Sequence, residues 1–215
     1  MASPASTDRA PALSDLWLPV QARALALVLH GGAEQSRRPV NGTSLSWHRA
    51  RVLARTVASE VNESGVGVAL LRYCVKGWNA SPGREPDPVV DARWALGELA
   101  ACHGLPVVLV GHSMGARTAV AVADHPSVLG VVALAPWLPH DDPVAPLAGK
   151  VLRAAHGRKD RITSYDATAA FVHRAQHGAD AELTDMGDRG HYLLRGARAW
   201  NRFASCGVEK ILTDR

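Results

Sequence analysis

Cysteine is scarce: Cys74, Cys102 and Cys206 are the only three in 215 residues. An odd, widely spaced set excludes a disulfide framework and a Cys-x-x-Cys metal or redox motif, and predicts reduced, mostly buried thiols. Long apolar runs are missing too. Ala24 to Leu29 and Pro106 to Val110 are among the longest, far short of the roughly 18–20 residues that cross a bilayer. Neither a membrane span nor a membrane partner is expected. Met1 to Ala10 has neither the basic start nor the apolar core of an export signal, so a cytoplasmic location is expected. Charge of one sign is never concentrated. The net +4 is dispersed, with dense stretches only at Arg37-Arg38 and at Arg158-Lys159-Asp160-Arg161, the latter broken by an acid. A nucleic-acid partner needs a clustered basic face, so none is expected.

What is present is ordinary globular usage: 47% hydrophobic and 20% charged residues exclude a disordered or coiled-coil chain. A chain this long buries roughly 70% of its unfolded surface in one core. Residues 1–14 read as a tail and 15–215 as a single domain. Short Val- and Leu-rich runs predict buried parallel strands at Ala24 to Leu29, Val66 to Tyr73, Val107 to Val110, Val128 to Ala133, Val151 to Ala155 and, more weakly, Ala181 to Asp185. Leu16 to Val20 offers one further short strand. Between them lie helical stripes: Leu53, Val57 and Val61; Val89, Ala92, Leu96 and Leu99; Leu193, Ala197, Trp200 and Ala204. This alternation predicts an α/β architecture, a mostly parallel six- or seven-stranded sheet with helices on both faces. Chemistry in such sheets gathers in loops at the carboxyl ends of the strands.

One of those loops is Gly111-His112-Ser113-Met114-Gly115, between a strand and a helical pattern. A serine on a sharp strand-to-helix turn needs small neighbours two residues before and after it, because the turn presses those backbones against adjacent structure. Ser113 is therefore the candidate nucleophile, and the Met114 amide, at a helix N-terminus, can stabilise developing negative charge.

A serine hydroxyl needs a base, and the base needs a carboxylate that fixes its tautomer. His191, in a Gly-flanked loop before the final helix, is the candidate base. Asp160, in the turn after the Val151 strand, is the candidate acid, with Asp185, Asp188 and the pair Asp141-Asp142 as alternatives. The spacings of 47 residues from Ser113 to Asp160 and 31 from Asp160 to His191 each leave room for a helix and a strand. Leu27-Val-Leu-His-Gly-Gly32 ends a strand in two glycines and can present a second oxyanion amide, from Gly32 or Ala33. His30, tied to the strand end, reads as a loop-shaping residue.

His30-Gly31-Gly32, Gly111 to Gly115, His156-Gly-Arg-Lys-Asp160 and Gly190-His191 follow one another in an order that resembles the α/β-hydrolase superfamily, and within it the small dienelactone-hydrolase-like and lysophospholipase-like esterases. The resemblance covers roughly residues 20–205. It implies an α/β-hydrolase fold and a serine hydrolase cleaving a small carboxylic ester or thioester, with no metal and no cofactor. The alternatives are an acyltransferase or thioesterase of a biosynthetic pathway and a non-catalytic ligand-binding protein on the same fold. Dienelactone hydrolases proper carry a cysteine where this chain has Ser113, so their substrate does not carry over.

Trp78, Trp137 and Tyr192 fall beside these motifs and are the candidate substrate-binding residues, whereas Trp17, Trp47, Trp94 and Trp200 read as packing. His173 and His177 share a helix face but lack the glutamate of a zinc-protease motif and read as a solvated face. The stretch from Pro136 to Lys150 is short and holds four prolines. It predicts a loop rather than a cap domain, and hence a shallow cleft suited to short or medium acyl groups.

Overall fold

The computed structural model describes residues 10–213. Strands and helices follow one another as β1 (Ala12–Trp17), β2 (Ala24–Leu29), α1 (Leu45–Val61), β3 (Val66–Arg72), α2 (Asp87–His103), β4 (Val107–His112), α3 (Met114–Ala121), β5 (Val128–Leu134), β6 (Val151–His156), α4 (Tyr165–Ala175), β7 (Asp180–Asp185) and α5 (Ala197–Thr213). Among the described residues the strands form one seven-stranded sheet in the order β1-β3-β2-β4-β5-β6-β7. All pairings are parallel except β1 with β3.

Strand periodicity sorts the core. Leu25, Leu27, Leu29, Leu109 and Ala133 face α2, α3 and α4 in one cluster, while Ala26, Val28, Val68, Val110 and Val132 face α1 and α5 in the other. Adjacent side chains point to opposite faces, so strands buried on both sides read as unbroken apolar runs. The stripes Leu53, Val57, Val61 and Val89, Ala92, Leu96, Leu99 are buried as their spacing requires.

Several expectations shift. The N-terminal strand lies at Ala12–Trp17 rather than Leu16 to Val20, because Pro19 lacks an amide donor and Asp15 is anchored by two hydrogen bonds from Arg51. Residues 12–14 of the expected tail are therefore strand; residues 1–9 lie outside the described residues. The last helix begins at Ala197, leaving Leu193, at φ +61°, in the preceding loop. Cys102 and Cys206 are exposed and Cys74 is half-buried, because the two helical cysteines sit on solvent-facing sides of α2 and α5. Of the packing tryptophans only Trp200 is fully buried, while Trp94 is on the surface and Trp17 and Trp47 are partly covered.

Between β5 and β6 the chain forms a loop whose only helical turn is the three-residue Ala145–Leu147, so no cap domain stands over the sheet. No described helix is long and apolar enough to cross a membrane.

Candidate active site

The loops after β2, β4, β6 and β7 meet at the carboxyl edge of the sheet. Ser113 stands between β4 and α3 with φ +57° and ψ −119°, a conformation that costs a non-glycine residue about 1–3 kcal/mol and survives only where its surroundings enforce it. They do so through the flanking glycines. A Cβ on Gly111 would run into the backbone of Ala116, and one on Gly115 into Leu29 and His30. The Ser113 amide is tied to the Leu134 carbonyl at 3.1 Å, and its carbonyl accepts from the Trp137 amide at 3.2 Å.

His191 reaches Ser113 because two loops are laced together. The Arg158 amide donates to the Gly187 carbonyl at 2.7 Å, the Met186 amide to the His156 carbonyl at 2.9 Å, and the Lys159 amide to the Arg189 carbonyl at 3.2 Å. The result is a continuous chain of bonds. Ser113 Oγ lies 3.0 Å from His191 Nε2, and His191 Nδ1 lies 2.8 Å from Asp160 Oδ2. The carboxylate accepts the Nδ1 proton, which leaves Nε2 free to accept from the hydroxyl. The Ser113 and His191 residues are 8% and 6% exposed, and the Asp160 side chain is 1% exposed.

Asp160 is unusually well supplied with donors. Its Oδ1 accepts the amides of Ile162 (2.8 Å) and Thr163 (2.9 Å), and its Oδ2 accepts the Thr163 hydroxyl (2.9 Å) as well as His191. His156 Nε2 stands 3.2 Å from the same oxygen, and its Nδ1 is 2.8 Å from Thr168 Oγ1. Burial alone would raise the carboxyl's proton affinity, but the bonds from His156, His191 and the two amides outweigh it and hold Asp160 well below the usual carboxylate range. The alternative acids are engaged elsewhere: Asp185 with Arg158, Asp188 with Lys159, Asp142 with Arg117 and Asp141 with His140.

The loop after β2 is shaped by His30. Its Nδ1 lies 2.7 Å from the Gly31 carbonyl and its Nε2 accepts the Tyr73 amide at 3.3 Å; burial lowers its pKa to about 4 and keeps the ring neutral. The Ala33 amide is committed to the Lys76 carbonyl at 2.8 Å, and Gly32 packs so closely against Met114 and the Lys76 carbonyl that a Cβ there would strike both.

Residues 26–214 match the alpha/beta hydrolase family. The chain belongs to that family. Among solved structures, this alpha/beta hydrolase is similar to an alpha-beta serine hydrolase homologue from Coxiella burnetii, at 16% identity over 90% of this chain and 89% of that one, TM-score 0.66. It is also similar to a serine hydrolase without a lid from Xanthomonas campestris, at 18% identity over 91% and 87%, TM-score 0.65. An esterase domain from Rhodothermus marinus shares 17% identity over 91% and 90%, TM-score 0.62. At these identities the likeness is one of fold. No curated protein matches the chain.

The three aromatic residues singled out in this alpha/beta hydrolase part company. Trp78 and Trp137 hold the Arg117 guanidinium between them, 4.2 Å and 4.3 Å from the ring centres, and Arg117 in turn grips Asp142 with two 2.7 Å bonds. Tyr192 is elsewhere, edge-on to the His191 ring at 5.4 Å and 49% exposed. Sequence reasoning gave no role to Thr163, His156 or His112. The pattern Asp160-x-x-Thr163 is a legible signal, since an Asp that caps the amides two and three residues on is a recurrent local motif. His112 donates from Nε2 to the His191 carbonyl at 2.9 Å, tying the Ser113 turn to the histidine loop. That contact spans 79 residues and leaves no local mark.

Proposed function

We propose that the protein hydrolyses small carboxylic esters or thioesters by a two-step acyl-enzyme route, with Ser113 as nucleophile, His191 as general base and acid, and Asp160 as the carboxylate that orients it. The observation that carries this reading is the unbroken Ser113–His191–Asp160 hydrogen-bond chain at a strained turn. His191 Nε2 takes the Ser113 proton as Oγ attacks the carbonyl carbon. The Gly32 and Met114 amides receive the oxyanion, aided by the positive end of α3. Collapse expels the alcohol or thiol, which receives the proton from His191, and water then repeats the sequence on the acyl-serine. Side chains and main-chain amides perform each of these steps.

Treating the protein with a fluorophosphonate and sequencing the modified peptide should place the label on Ser113. Ser113→Ala should abolish labelling and lower kcat on an activated ester by about 10⁴ to 10⁶, with the fold intact. Label on another residue, or activity within tenfold of the parent, would overturn the reading.

A further inference from the structure

Beside His191 opens a cleft of about 170 Å³ whose walls include Leu53, His112, Tyr192, Leu194 and Ala197. An apolar cavity of about 150 Å³ accepts benzene, so there is room here for one six-membered ring. The mouth is unusually apolar for a surface: Val52 is 63%, Tyr192 49% and Leu194 72% exposed. Large apolar side chains grouped around a concavity mark a binding surface, as scattered ones do not. Arg49 is the one charged residue lining it, with its guanidinium 4.9 Å above the Tyr192 ring. No carboxylate among the described residues pairs with that guanidinium. His112 adds no second cation, since burial and the neighbouring His191 push its pKa down to about 3.

We propose that this cleft receives the leaving alcohol of the substrate, and that this alcohol is a hydroxy acid: a body about one ring in size whose carboxylate pairs with Arg49. The inference rests on the ester-hydrolase reading. Position assigns the cleft to the leaving group. His191 Nε2 must hand its proton to the departing oxygen, so that oxygen lies within hydrogen-bond reach of the imidazole. The cleft is walled by two neighbours of that ring, His112 and Tyr192, whose ring centres stand 4.9 Å and 5.4 Å from it. The two stacking distances through Tyr192 place the guanidinium carbon no more than about 10 Å from the imidazole centre. That span is shorter than an extended para-hydroxybenzoate with a hydrogen bond at each end, so the meta isomer, whose hydroxyl and carboxylate stand closer together, is the better match. In the step itself Ser113 Oγ bonds to the acyl carbon, the bond from that carbon to the alcohol oxygen breaks, and the Ser113 proton passes through His191 to that oxygen. The hydroxy acid leaves with its carboxylate still ionised.

The test compares 3-carboxyphenyl acetate with methyl 3-acetoxybenzoate, its neutral counterpart with a similarly electron-withdrawing ring, each normalised to its hydroxide-catalysed rate. In the parent, kcat/KM should favour the carboxylate by roughly three- to tenfold at low salt, the range of one partly exposed charged pair. The ratio should collapse towards one in Arg49→Gln and survive in Arg49→Lys. A parent ratio of one, or a ratio unchanged in Arg49→Gln, would overturn the inference. So would an Arg49-dependent preference confined to phenyl hydrogen succinate, whose carboxylate is on the acyl side. If neither ester is hydrolysed and the fluorophosphonate leaves Ser113 unlabelled, both readings fall. A labelled, active enzyme with Arg49-independent ratios sinks this one alone.

Discussion

Two buried carboxylates in this molecule have opposite fates. Asp160, after β6, is held well below the ordinary carboxylate range, while Asp91, on α2 and 6% exposed, is pushed up to about 6. Burial works in the same direction on both. The difference lies in the donors. Asp160 collects two amides, a hydroxyl and two imidazoles across its oxygens. Asp91 is pushed up by burial; the Cys74 amide at 2.8 Å counters it, and the like charge of Asp87 adds to it. At Asp160 the hydrogens that point at the carboxylate outweigh burial, and at Asp91 burial outweighs the single amide. One acid is kept ionised beside a histidine; the other carries a standing cost whenever the solution is neutral.

The comparison is sharpened most by making the same substitution at both sites. Asp160→Asn should lower kcat by roughly 10² to 10⁴, because an amide no longer fixes the His191 tautomer or balances its charged form. Asp91→Asn should leave kcat within about twofold, since nothing in the Ser113–His191 pair touches it. Steady-state rates on one activated ester decide the matter. Near-parental activity in Asp160→Asn would return the acid's role to Asp185, Asp188 or Asp142. The pH response carries a sign as well. Asp160 is depressed, so its stabilising contribution is complete above the unfolded value of about 4 and is lost only as pH falls through its lower folded value.

A smaller effect is expected from taking one donor away. His156→Leu should lower kcat by about 10- to 100-fold, because Asp160 Oδ2 loses the imidazole at 3.2 Å that helps hold it towards His191. His156→Gln places an amide donor near the former Nε2 and should recover most of the loss. KM should hardly move in either variant. Equal losses in both, tracking a loss of folded protein, would reduce His156 to a packing residue.

How far the sequence foretold this follows from the range of the interactions. Strands β2 to β6 were legible because burial on both faces makes each a local apolar run, and the strand-to-helix turn at Ser113 because Gly111 and Gly115 mark a steric need within five residues. The edge strand was misplaced because one covered face and a pairing with Arg51 leave a weak pattern. His156, Thr163 and His112 went without roles, since only the folded chain brings β6, α4 and the histidine loop within bonding distance. Trp78 and Trp137 stand out in the sequence only as loop aromatics beside the motifs, with Tyr192; that the two clasp Arg117 leaves no sign there, because an arginine on a helix gives no hint of what it stacks on.

The raised acid makes a prediction about stability rather than rate. Because its folded pKa of about 6 exceeds the unfolded value of about 4, Asp91 stabilises the native state fully below about pH 4, and that contribution is lost as pH rises through about 6. Asp91→Asn cannot ionise, and its side-chain oxygen can still accept the Cys74 amide. The variant and the parent should unfold alike near pH 4, and near pH 8 the variant should be more stable by on the order of 1–3 kcal/mol. Urea unfolding at the two pH values measures this. A difference that does not change with pH would mean that Asp91 is charged throughout.

The smallest effect is expected at Asp188, three residues from His191, where nearness in sequence competes with nearness in space. Asp188 bonds Lys159 at 2.6 Å, but the two side chains are 75% and 63% exposed, so solvent screens the pair. Nor does its position help it reach the imidazole, since the Nδ1 of His191 is already taken by Asp160 and has the Thr163 hydroxyl at 3.2 Å. Asp188→Asn should therefore leave kcat within about twofold, and the midpoint of unfolding should move by no more than a surface substitution usually moves it. A fall in kcat as deep as that of Asp160→Asn would show that the loop carrying His191 rearranges when substrate binds and brings Asp188 to the imidazole. In that event the donor-rich pocket around Asp160 would be a structural cluster, and the contrast with Asp91 would be one of folding stability alone.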